Sequence, residues 1–127
     1  MMAFDTSFLL DYLDGVTAAR DLLNEHNGKP FFTPTLALFE VYRGAARTGG
    51  AEQIENAASA LDWVEPLELT DAATREAALI ESELLDQGEP VNLGDILIAG
   101  VCRSNGARVV TRDEDFKSIN GLEVEEY

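Results

Sequence analysis

Asp5, Glu40 and Asp95 stand apart from the other acids of this chain. Asp5 is the only acid in the first ten residues, Glu40 the only one from Pro30 to Ala51, and Asp95 the only one from Pro90 to Arg112. An ionised carboxylate in apolar surroundings is costly unless it is paired or coordinates a metal. A fourth acid, Asp113, follows the apolar pair Val109–Val110 and Thr111, and opens the run Asp113–Glu114–Asp115. Carboxylates gathered in one pocket repel, and without a cation some of their pKa values rise. A hard divalent ion such as Mg2+ or Mn2+ removes that penalty, since these ions prefer oxygen ligands. Metal-ion chemistry is therefore the first reading of these four positions.

Each acid also has an ordinary structural reading. Asp5 could cap a helix, and Asp95 could complement a helix dipole. Glu40 could pair with Arg43 or Arg47 on its own helix face. Asp113 could be a turn residue, with Glu114 and Asp115 solvated beside it. The placement of the four in the fold decides between these readings.

The elements that would position them follow from the pattern. "MAFDTS" reads as a brief strand ending at Asp5. "SFLLDYLDG" puts Phe8, Leu9, Tyr12 and Leu13 at helical spacing before a glycine stop. "TAARDLLNEHNG" is a second helix and "KPFFTPT" a short strand, with Pro34 suited to the first position of the next helix. That helix, "TLALFEVYRGAARTGG", ends at Gly49–Gly50, and "AEQIENAASALD" continues as helix. "WVEPLEL" is an edge or irregular strand because Pro66 interrupts it. "TDAATREAALIESELLDQG" is a long amphipathic helix capped by Thr70 or Asp71, "NLGDILIAGVCRSNG" a further helix, and "ARVVT" and "GLEVEEY" the closing strands. Strands alternating with helices predict one α/β domain over residues 1–127, with a short, mostly parallel central sheet flanked by helices in three layers. In such sheets, sites form outside the carboxyl ends of the strands. Asp5 and Asp113 lie just past two such ends.

Composition narrows the function. The hydrophobic content of 46% suits a globular core, and no apolar run approaches a membrane span. No charged-then-apolar leader opens the chain, so a soluble, cytoplasmic protein is expected. The single cysteine, Cys102, excludes an internal disulfide and a thiolate cluster, and reads as a small core residue. Acids number 24 against 9 bases, a net charge of −15, and only Lys29 and Lys117 are lysines. That balance suggests adaptation to high salt, where the Debye length falls to about 3 Å at 1 M. It also argues against binding nucleic acid through a basic face. The one histidine, His26, excludes a two-histidine ribonuclease mechanism and is expected to be exposed near a helix end. Trp63 is expected to pack beneath a helix.

"DTSFLLDYL" from Asp5, "FEVYRGA" around Glu40, "GDILIAG" around Asp95 and "VVTRDEDF" together resemble the PIN-domain ribonucleases, most nearly the VapC-type toxins of toxin–antitoxin pairs. The resemblance runs from Asp5 to the closing "INGLEVEEY". It implies that Asp5, Glu40, Asp95 and Asp113 form a catalytic quartet binding Mg2+ or Mn2+. Thr6 and Thr111 match hydroxyl positions that support the site, and Asp115 matches a secondary acidic position. The implied reaction is metal-dependent hydrolysis of RNA phosphodiester bonds, in which bound metal activates water and stabilises the leaving oxygen. Arg43 and Arg47, on the helix of Glu40, are candidates for RNA-phosphate contact. The implied partners are an RNA substrate, a cognate antitoxin that covers the acids, and a second copy of the chain in a homodimer. The competing reading is a catalytically silent scaffold of the same fold working through protein partners.

Overall fold

Strand β1 (Met2–Phe4) runs up the middle of the sheet, with all three residues buried. In the computed structural model, which describes residues 1–90 and 92–127, it is followed by α1 (Thr6–Leu13), α2 (Thr17–Glu25), β2 (Phe31–Pro34), α3 (Thr35–Ala60) and β3 (Glu65–Leu67). Then come α4 (Asp71–Asp86), α5 (Leu93–Ser104), β4 (Arg108–Val110), a 3-10 turn (Glu114–Ser118) and β5 (Val124–Glu125). The strand order is β3-β2-β1-β4-β5, and every pairing is parallel. In register, Ala3 sits between Phe32 and Val109.

This order reverses direction at β1. The chain first builds outward through β2 to β3, then crosses back to lay β4 on the other side of β1. The right-handed crossover rule carries the helices of the two halves to opposite faces. The gap between the carboxyl ends of β1 and β4 is thus a topological switch point, the place where open α/β sheets form sites.

The elements form where the pattern predicts them, with differences at the ends. Pro34 closes β2 and precedes the first helical residue rather than being it. Its ring lacks an N–H, so it suits a strand end as well as a helix start. The glycine pair does not end α3 but breaks it: Gly49 and Gly50 leave helical geometry, Gly50 at φ 63°, and the chain resumes as helix to Ala60. Only glycine takes that conformation without steric penalty. Pro66 lies in the edge strand β3, as its missing donor requires. The acid run is not an open loop, because Glu114–Ser118 winds into a 3-10 turn that plants Phe116 in the core. His26 is only partly exposed, its side chain at 22%, with Nε2 3.8 Å from Glu125. Its Nδ1 is buried without a partner.

An aromatic cluster lines the α1 side of β1. Phe4 stacks on Phe8 at 4.2 Å between centroids, and Trp63 meets Phe4, Phe31 and Tyr12 edge-on. Elsewhere, α4 packs closely on α5. Arg103 of α5 ties that pair together, its guanidinium 2.7 Å from Glu76 and 3.1 Å from Glu83, while bonding the Asn120 carbonyl at 2.9 Å. Cys102 is fully buried, and burial pushes its thiol up to about 12, so it is an inert packing residue.

Two helical glycines test this packing with opposite signs. A Cβ on Gly100 would lie 2.8 Å from the Ala73 carbonyl oxygen and 2.9 Å from Ala77 Cα, whereas one on Gly44 would meet nothing within 4 Å. The helix-propensity gain of about 1 kcal/mol is outweighed at Gly100, because the clashing atoms are backbone and force the helices apart. Gly100→Ala should destabilise by about 1–2 kcal/mol, and Gly44→Ala should stabilise by roughly 0.5–1 kcal/mol. Urea unfolding of the two variants checks both signs.

Candidate active site

The carboxyl end of β1 delivers Asp5 directly. Its amide continues the ladder to the Val110 carbonyl at 3.3 Å, and its side chain turns up to cap α1. Asp5 is 3% exposed and its carboxylate is saturated with donors. Oδ1 accepts from the Phe8 amide at 3.0 Å, Ser7 Oγ reaches both oxygens at 2.8 and 2.9 Å, and Thr111 Oγ1 donates to Oδ2 at 2.5 Å. The cap reading of Asp5 is therefore correct, and compatible with a place in the pocket. Burial pushes its pKa up first. The bonds from Thr111, Phe8 and Ser7 pull it back, nearby Asp113 adds to the rise, and the net direction is upward.

Asp113 arrives from the other side of the switch point. It caps the 3-10 turn, its Oδ1 accepting from the Asp115 amide at 2.9 Å, while its own amide donates to Thr111 Oγ1 at 2.9 Å. Thr111 therefore links the two strand ends, donating to Asp5 and accepting from Asp113. Asp95 enters from the first turn of α5, where Asn92 caps the helix by accepting from the Asp95 amide at 3.1 Å.

Ligand-type oxygens of Asp95, Asp113 and Asp115 all lie within 4.8 Å of one another. Asp115, anticipated only as a secondary position, thus stands inside the tight group. Glu40 stands slightly outside it: Oε1 accepts from Thr6 Oγ1 at 2.6 Å and Oε2 lies 3.9 Å from Arg43. Asp5 is likewise outside the tight group, yet both charges reach Asp95. Burial first, then the charges of Asp113, Glu40, Asp5 and Asp115, push the Asp95 carboxyl up to about 6. Among the described residues, none of Asp5, Asp95, Asp113 and Asp115 makes an ion pair. An all-oxygen donor set, crowded and without a cationic partner, fits a hard divalent ion. A cleft of about 300 Å3 opens beside it, lined in part by Asp95, Asp115, Asn92 and Phe116.

Arg43 is half-exposed, with its guanidinium 5.4 Å from the Phe39 ring centre. Arg47, one turn further along α3, makes no ion pair among the described residues.

Three contributors were not singled out from sequence. Ser7 gives both Asp5 oxygens a donor, and a serine two residues after an aspartate carries no distinctive signal. Asn92 was readable, since Asn-x-x-Asp before an apolar run is a capping pattern. Gly94 lets α5 approach α3, for a Cβ there would sit 3.2 Å from Glu40 Oε2. Nothing in the neighbouring residues announces that contact.

Fold and site together define a class: a small parallel α/β domain built around an acidic, all-oxygen pocket at its switch point. The PIN domain family model matches residues 2–122, and this chain belongs to that family. It is 31% identical over 115 residues to a tRNA(fMet)-specific endonuclease VapC of Shigella flexneri, covering 87% of this chain and 84% of the relative. Among solved structures, it resembles a chain of the DNA-bound VapBC of Salmonella typhimurium with a TM-score of 0.87 and 24% identity, covering 98% of this chain and 96% of the other. A chain of the DNA-bound VapBC2 of Rickettsia felis gives a TM-score of 0.85 at 20% identity, covering 98% and 97%. At these identities the two structures speak for the fold.

The raised Asp95 pKa has a direct consequence for the metal-free protein. The native state holds the Asp95 proton up to about pH 6, whereas the unfolded chain releases it near 3.8. The resulting penalty is absent below about pH 4 and complete above about pH 6. Asp95→Asn should therefore stabilise the chelator-treated protein near pH 7 by on the order of 2 kcal/mol, and the gain should vanish near pH 4. Denaturant midpoints at the two pH values measure it.

Proposed function

We propose that this chain is a divalent-metal-dependent endoribonuclease, the toxin of a type II toxin–antitoxin pair. The observation that carries this reading is the group Asp95, Asp113 and Asp115, with oxygens within 4.8 Å and no neutralising base. The likeness to a tRNA-specific endonuclease supports RNA as the substrate class.

In this reading Asp95, Asp113 and Asp115 hold the ion, Mg2+ or Mn2+, and Asp5 and Glu40 complete the acidic shell. Bound there, such an ion would supply a water of lowered pKa and would neutralise charge on the phosphate. The chain's own groups do the rest. Asp95 or Asp113 orients the attacking water and accepts its proton. Thr111 and Ser7 hold Asp5, and Thr6 holds Glu40, so the acids meet the ion in fixed positions. Arg43 and Arg47 present positive charge on α3 beside Glu40 and receive flanking RNA phosphates.

The two solved neighbours are VapBC complexes, which supports an antitoxin as partner. A basic side chain of that partner placed among the acids would substitute for the cation. The exposed Phe39 and Leu93, on α3 and α5, offer an apolar face for a second copy in a homodimer. No described helix is long and apolar enough to cross a membrane, and an RNA-cleaving toxin of this kind would work in the cytoplasm. The net charge of −15 suits a cytoplasm of high salt.

Thermal melts in molar KCl, with and without Mn2+, test the metal site before any substrate is known. At a concentration of about 100 times Kd, Mn2+ should stabilise the wild type by roughly 2.7 kcal/mol, and Asp95→Asn should respond far less. Incubation with total tRNA should then give cleavage in Mn2+ and none in chelator. A wild-type midpoint unmoved by millimolar Mn2+, together with intact RNA, would favour the silent scaffold.

A further inference from the structure

Asp11 is the other buried acid, and the acidic pocket does not use it. It lies on α1, the helix that Asp5 caps, with its side chain 12% exposed. Arg112 grips it with a two-pronged contact, Nε donating to Oδ2 at 2.7 Å and Nη2 to Oδ1 at 3.4 Å. The Tyr127 hydroxyl donates to the same Oδ2 at 2.6 Å. Burial alone would raise the Asp11 pKa, but the bonds from Arg112 and Tyr127 outweigh it and the net direction is downward. The Tyr127 ring is fixed edge-on against Phe8 at 4.9 Å, and the Phe8 amide donates to Asp5 Oδ1. Three segments meet here: α1, the link between β4 and the 3-10 turn, and the residues after β5.

Arg112 is the residue between Thr111, which bonds Asp5, and Asp113, which faces Asp95. The turn's polar bonds are mostly its own, Asp113 to Thr111 and Asp115 to Asp113. The like charges of Asp5, Asp95 and Asp113 push that turn outward. The Arg112 fork pulls it back onto α1. An exposed ion pair is ordinarily worth little, and the Arg112 side chain is 58% exposed. Its partner is covered, however, and the pair is two-pronged and shared with a phenol, which makes it geometrically specific.

We propose that Asp11, Arg112 and Tyr127 form a positioning clamp that sets the distance of Asp113 and Asp115 from Asp5 and Asp95. The clamp rests on the reading of those carboxylates as the functional group. None of its three members touches the ion or the substrate. They act on the pocket through the backbone of the turn.

The test compares Arg112→Ala with Arg108→Ala. Arg108 lies on β4, just before the link that carries Arg112, and pairs with Glu123 and Glu125, so its loss removes a comparable surface ion pair without touching the clamp. In the metal-free protein, amide hydrogen exchange at Asp113 and Asp115 should quicken several-fold in Arg112→Ala and stay at the wild-type rate in Arg108→Ala. Mn2+ affinity, read from the spin-resonance signal of the free ion, should fall by about tenfold in Arg112→Ala alone. Tyr127→Phe should lose less in the same direction, and Arg112→Lys, which keeps the charge without the fork, should recover part of the affinity. Unchanged exchange at both amides in Arg112→Ala, or equal losses in Arg108→Ala, would overturn the clamp. A wild type that binds no Mn2+ would sink the metal reading instead, and the exchange rates would still decide the clamp.

Discussion

Like charges held close together are the condition the rest of this structure answers to. Asp95, Asp113 and Asp115 bring their oxygens within 4.8 Å of one another, with Asp5 and Glu40 near enough to be felt. Among the described residues no base pairs with Asp5, Asp95, Asp113 or Asp115, so the surrounding frame has to resist that repulsion. The parallel sheet does so by placing the ends of β1 and β4 side by side in fixed register, Phe4 opposite Val110. Thr111 then joins Asp5 to the Asp113 amide across the gap. A pocket assembled against its own electrostatics is poised for a cation, since a positive charge among the carboxylates replaces their mutual repulsion with attraction to a common centre.

Hydroxyls rather than bases do the holding. Ser7 and Thr111 donate to Asp5, and Thr6 donates to Glu40. A hydroxyl fixes a carboxylate's orientation without neutralising it, which leaves its charge available to an ion. An arginine in the same place would hold it more firmly and occupy the site. The bases are placed accordingly. Arg103 braces α4 and α5, Arg108 and Lys117 brace the β5 edge, and Arg112 pairs with Asp11 of α1. Among the described residues, only Arg43 pairs with a pocket acid, at 3.9 Å from Glu40.

Much of this was legible in the sequence. Helix and strand identities followed from the spacing of apolar residues and from glycine stops, because those signals are local. Isolated acids in apolar runs pointed to the pocket, because an unpaired buried charge needs a reason. What stayed hidden shares a cause. Asp115 reads as solvated because three acids in a row describe a surface, and it is exposed; only the 3-10 turn, wound around the burial of Phe116, brings its carboxylate within 4.8 Å of Asp95 and Asp113. His26 looked exposed because the end of a helix is usually wet, yet it meets β5, which lies far away in sequence. Ser7, Asp11 and Gly94 carried no local signal, since the partner that gives each its role is on another element.

The sequence by itself determined which residue types were available and on which element each would sit: a strand ending at Asp5, a helix bearing Glu40, a helix opening at Asp95, a strand running into Asp113. These depend on periodicity, capping and turn chemistry, which act over a few neighbouring residues. The tertiary structure alone decided which carboxylates share a pocket, that Asp115 belongs with Asp95 and Asp113 while Glu40 stands back against Thr6, and that Arg112 pulls toward α1. Those outcomes depend on the strand order reversing at β1 and on distances set by packing between residues far apart in the chain, 106 positions in the case of Asp5 and Thr111. No local pattern encodes a distance of that kind.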